Sequence, residues 1–151
     1  MVKIILAVDG SVLALAATHS VIKHRALFAA PMDIHLLYVG APASKVQGVS
    51  VLINFAPLDR PNEADADEAL VASANLLGQY GINYRRHNLV GDIAAVINEF
   101  ANAQVADFIY IGAQGRGCLL NCVPNTILGS TAAQLLHAAT VPVVIIHTPE
   151  V

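Results

Sequence analysis

The chain has 151 residues, enough for one domain with a buried core. At 56% hydrophobic and 13% charged it lies far from disordered compositions, and the apolar surplus points to self-association. A formal net charge of −3 without a basic run excludes a nucleic-acid surface, which needs clustered Lys and Arg to displace counterions.

The apolar runs end at Asp9, Gly40, Gly112 and His147, so none approaches the length of a membrane span. The first run, after Lys3, is shorter than a signal-peptide core and closes on Asp9-Gly10-Ser11, which makes the cytoplasm the expected compartment. Taken in order, Ile4 to Val8 reads as a strand, and Ser11 as the cap of an alanine-built helix running to about Ala29. Ile34 to Val39 is the second strand. Residues 41–61, with three prolines and the apolar patch Val49 to Phe55, are an irregular excursion, long for a connection between strand and helix. It is either a surface loop packing its own residues or a cover over a site.

Asn62 to Tyr80 has helical spacing, with acidic residues in its first turns and Gly81 after its end. Ile82 to Arg86 is a mixed run that fits an edge strand. Asp92 caps a helix through Ile93, Val96, Ile97 and Phe100. Phe108 to Ile111 is the fourth strand, a helix begins at Gly129-Ser130 and stops before Val141-Pro142, and Val143 to Ile146 is the fifth strand. Four of the five runs are continuously apolar, as parallel strands covered on both faces must be. The expected fold is a single α/β domain over residues 1–151, an open five-stranded parallel sheet with helices on both faces and strand order 3-2-1-4-5.

In such sheets ligands bind at the carboxyl ends of the strands, where the order reverses. The ends of strands one and four meet there, and they carry Asp9-Gly10-Ser11 and Gly112-Ala113-Gln114-Gly115-Arg116-Gly117. Three glycines in six residues let backbone N–H groups turn toward an anion. The helix opened by Gly129, Ser130 and Thr131 adds its first N–H groups, its dipole and two hydroxyls. Arg116 is the only Lys or Arg after Arg86, so the sequence sets its last permanent cation in this loop. The pattern predicts an anion site.

Lys3 to Ser11, the strand ending Leu37-Tyr38-Val39, Gly91-Asp92, the G-x-x-G…G-S loop and Val141-Pro142-Val143-Val144, in this order, resemble the universal stress protein family. The resemblance implies a Rossmann-like domain of the adenine nucleotide alpha hydrolase type, binding ATP or AMP, with Mg as a further ligand through Asp9. Gly112, Gln114, Gly115, Arg116, Gly117, Gly129, Ser130 and Thr131 would hold phosphates and ribose. Ala7 and Asp9 would line the pocket, and the Val39 backbone would meet the adenine edge. It also implies a homodimer joined through the last strand, Pro142 to His147. The chain departs from the family's ATP-binding pattern in having thirteen residues between Gly115 and Gly129 where nine are usual. The surplus falls near Cys122 to Thr126, and Leu120 stands where glycine is common. Four extra residues add up to about 13 Å of extended chain, enough to bulge outward or to fold into the pocket.

Cys118 and Cys122 are read as free thiols, since a zinc site would need two further ligands and His137 and His147 lie on other elements. The six histidines show no paired spacing and are expected at the surface or at helix ends, and His19 and Ser20 have no visible acid partner. No catalytic residue is assigned. The residues support three readings: a nucleotide-binding regulatory module of the stress response with little or no turnover, a non-binding interaction module on the same fold, and a slow Mg-dependent ATP hydrolase using Asp9.

Overall fold

A computed structural model describes residues 1–40, 63–115 and 128–147. The elements follow in the order β1 (Val2–Ala7), α1 (Val12–His24), β2 (Met32–Gly40), α2 (Glu63–Gln79), β3 (Tyr84–Val90), α3 (Ile93–Ala103), β4 (Phe108–Gly112), α4 (Ser130–Ala138) and β5 (Val143–Ile146). All pairings are parallel, and the order across the sheet is β3-β2-β1-β4-β5, as expected from the sequence. The excursion at 41–61 lies outside the described residues, as do Arg116, Gly117, the two cysteines and the surplus near Cys122 to Thr126.

The continuous apolar runs are explained by the alternation of a pleated strand between two covered faces. Ile4 and Leu6 of β1, with Ile34 and Leu36 of β2, pack under α1 and α2 against Ala17, Val21, Leu70 and Leu77. Ile5 and Ala7, with Leu37, Val39, Ile109 and Ile111, face α3 and α4 and meet Val96, Ile97, Phe100 and Leu135. The apolar residues of β1 and β2 are therefore inside, whichever way they point. On the first face the Thr18 hydroxyl lies 2.8 Å from that of Ser73, a buried link between α1 and α2. Tyr110 reaches His24 Nδ1 at 2.8 Å, and its burial pushes the phenol above its ordinary value.

Two elements depart from the sequence expectation. The first helix ends at His24 and continues only as a 3-10 turn, Arg25–Leu27, before Phe28 becomes extended on the way to Pro31 and β2. The third strand lies later than expected and runs on through Arg85, Arg86, His87 and Asn88 to Val90. It is an edge strand, so Arg85, Arg86 and Asn88 are exposed and its apolar signal is weak. No described helix is long and apolar enough to cross a membrane.

Candidate functional site

The chain turns sharply after β1. Gly10 sits at φ 80, in the left-handed region where only glycine is unstrained. The turn is closed by Asp9, whose Oδ1 accepts from Ser11 N at 2.9 Å. Ser11 in turn caps α1, its hydroxyl accepting from Ala14 N at 3.2 Å. The same two residues thus form the turn and start the helix.

On the neighbouring strand, β4 ends at Gly112 and runs so close to α1 that a Cβ there would lie 2.8 Å from Leu13 Cβ and 2.9 Å from its carbonyl carbon. Glycine is required by that approach rather than by a turn. Three residues later, a Cβ on Gly115 would lie 2.8 Å from Asp9 Oδ2, so the loop after β4 closes directly over the carboxylate after β1. Gly129 N donates to Ala113 O, and its own Cβ position is 3.1 Å from that same oxygen. The loop leaving β4 and the start of α4 are therefore pinned side by side.

These contacts enclose a cavity of about 450 Å³ at the carboxyl ends of β1 and β4. One wall is apolar, made by Leu37, Val39, Ile93 and Ile97; the other is made by Gly112 to Gly115 and by Gly129, Ser130 and Thr131. Its volume lies within the range that holds a small organic ligand, and the pairing of an apolar wall with a few convergent polar groups is the usual form of such sites. Gly129 is the N-cap of α4 and supplies no side-chain hydrogen bond, so the first N–H groups of that helix receive no cap from it. With the helix dipole behind them, they favour an anion at this end of the cavity.

Of the residues singled out in the sequence, Ala7, Asp9, Val39, Gly112, Gln114, Gly115, Gly129, Ser130 and Thr131 all border this one cavity, while Arg116 and Gly117 lie outside the described residues. Leu37, Ile93 and Ile97 were not anticipated as lining. They read as ordinary core positions, and only the sheet order brings the first turn of α3 over the end of β2.

The surface expectation for the histidines fails at His35. It is 1% exposed on β2 and pairs with His87 of β3, Nδ1 to Nε2, at 3.0 Å. Two histidines 52 residues apart carry no sequence signal of being neighbours, and only the strand register joins them. Among the described residues no three His, Cys, Asp or Glu side chains form a metal site.

Comparison with known proteins agrees with this architecture. The universal stress protein family matches the chain over residues 1–147. A curated relative, Universal stress protein MJ0531 of Methanocaldococcus jannaschii, is 26% identical over 148 residues, 98% of this chain and 83% of its own length. Among solved structures, hypothetical protein MJ0577 superposes with a TM-score of 0.71 at 17% identity, covering 99% of this chain and 98% of its own. A universal stress protein of Archaeoglobus fulgidus in complex with dAMP gives 0.63 at 20% identity, covering 97% and 98%. A family protein of Arabidopsis thaliana with AMP bound gives 0.64 at 19%, covering 97% and 91%. At these identities the structural likeness speaks to the fold.

Proposed function

This chain belongs to the universal stress protein family, and from that premise we propose that it is a cytoplasmic regulatory module that binds an adenine nucleotide, ATP or AMP, with little or no turnover. The observation that carries the reading is the two-sided cavity, apolar at Leu37, Val39, Ile93 and Ile97, and glycine-framed at Gly112, Gly115 and Gly129. A nucleotide has the same polarity, a flat base at one end and phosphate at the other. The relatives solved with dAMP and AMP support an adenine nucleotide as the occupant.

In this reading the base lies against the apolar wall with its edge toward the Val39 backbone. The phosphates meet the N–H groups at the start of α4, the hydroxyls of Ser130 and Thr131, and the loop from Gly112 through Gln114, Arg116 and Gly117. Ala7 and Asp9 form the floor. Hydrolysis with Mg would engage Asp9, but that carboxylate already braces the turn through Ser11 N and has Gly115 packed close against it, which favours a binding role. Binding would stabilise the folded chain by mass action and bias the loop after Gly115, the step by which the module would signal. The module would act as a homodimer joined at β5, whose outer edge has no strand beside it among the described residues. A two-chain mass in sedimentation velocity is the signature of that assembly.

Gly115→Val tests the site. Its side chain would push into Asp9 and occupy the phosphate cradle while leaving the core untouched. AMP and ATP affinity, read by titration calorimetry, should fall about a hundredfold or more through lost charge-assisted hydrogen bonds. The far-ultraviolet circular dichroism should not change. A variant that binds as well as the wild type would show the cavity assignment to be wrong.

A further inference from the structure

Below the crevice, on the face covered by α3, β2 and β3 bring two imidazoles together. His35 and His87 lie with ring planes 11° apart and centroids 5.0 Å apart, and Phe100 of α3 packs on both, at 5.9 and 4.7 Å. A contact of 3.0 Å between His35 Nδ1 and His87 Nε2 has room for one proton, so one nitrogen must donate and the other accept. The second nitrogen of His35, Nε2, is buried without a hydrogen-bond partner. Its nearest charge is Asp33 Oδ2 at 3.4 Å, an oxygen that Arg85 also approaches at 3.3 Å. The charged groups acting on the pair are Lys3 from β1, Asp33 from β2 and Arg85 from β3. From α3 the pair meets the ring of Phe100, while Glu99, the helix's one titratable side chain, is exposed.

We propose that His35 and His87 form an acid-sensitive latch that holds α3 to the sheet while both rings are neutral and loosens it when the pair takes up a proton. The latch reaches the crevice because Ile97 and Ile93, one and two turns before Phe100, form part of its apolar wall. That last link rests on reading the crevice as a nucleotide site; the latch itself does not.

Burial lowers both imidazoles, that of His87 to about 4, with the neighbouring His35 and Arg85 pushing it the same way, and outweighs the opposing pull of the Asp33 carboxylate on each. Lowering a histidine in the closed state means the neutral form is the one stabilised. That stabilisation is complete above about 6.5, the ordinary histidine value, and is lost as the pH falls from there toward about 4. From His87 alone, the open population of α3 should rise about thirtyfold between pH 7.5 and pH 5.0.

Amide hydrogen exchange on the full chain without nucleotide, corrected for intrinsic rates, reads this opening directly. Amides of α3 should lose about thirtyfold protection across that interval while those of α1, on the opposite face, change little. Equal pH dependence in α1 and α3 would overturn the latch, as would a nitrogen-15 NMR titration placing both rings at or above the ordinary histidine value. The double variant His35→Leu with His87→Leu should remove the excess pH dependence of α3. If that variant fails to fold, the wild-type titration still decides. AMP titrated at the same two pH values separates the two ideas. Affinity that falls at pH 5.0 supports the coupling, affinity unchanged while α3 loosens removes it, and no binding at either pH overturns the nucleotide reading while the exchange data still judge the latch.

Discussion

Helix α1 begins at a serine whose hydroxyl satisfies one of its own N–H groups, whereas α4 begins at a glycine with nothing to offer. Both starts border the same cavity, and α3, which joins them there through Ile93, is also self-capped, by Asp92 on Ala95 N. A helix end that caps itself has spent its positive pole within the fold. One left open keeps that pole for a ligand. The contrast separates residues that stabilise the domain from residues that give it an occupant, although all of them line one crevice.

The strongest way to break that contrast is Gly112→Ala, which drives a methyl group into the backbone of Leu13 at the first turn of α1. Rigid backbone cannot yield as a flexible side chain can, so unfolding free energy in urea should fall by about 3 kcal/mol. Gly129→Ser would supply α4 with the cap it lacks. Its hydroxyl should compete with phosphate for the same N–H groups, and AMP affinity should fall about tenfold, with a stability loss smaller than that of Gly112→Ala because its Cβ would lie 3.1 Å from the Ala113 oxygen rather than 2.9 Å from backbone carbon. Smallest is Ser11→Ala. Removing the cap of α1 should cost about 1 kcal/mol in thermal unfolding and leave AMP affinity within about a factor of three. Were Ser11→Ala to weaken binding more than Gly129→Ser, the two helix starts would have to exchange roles.

Most of the scaffold was legible from periodicity. The runs at Ile4, Ile34, Phe108 and Val143 are apolar on both faces, the pattern of strands in a parallel sheet covered on two sides. β3 was legible only in part, because Arg85, Arg86 and His87 sit on an edge where polarity is tolerated. The glycine-framed loop announced itself through residue types that few other structures need. Its apolar counterpart did not: Leu37, Ile93 and Ile97 look like any core positions, and their role depends on which helix crosses which strand end. His35 shows the same limit more sharply, since its burial beside His87 comes from register alone.

The two margins of the sheet have a consequence for how far an assembly can grow. β3 presents Arg85 and Arg86, 64% and 45% exposed, whereas β5 is Val-Val-Ile-Ile, half-buried and free of charge. Another chain's strand arriving at β3 would have to desolvate two ion pairs, Arg85 with Asp33 and Arg86 with Asp67. At β5, among the described residues, it would meet hydrocarbon and a strand edge with no further strand beside it. Joining two β5 margins about a two-fold axis uses up both, and what remains outermost on either side is the charged strand. In the proposed dimer growth would stop at a pair, so the uncharged margin would not become a template for fibres.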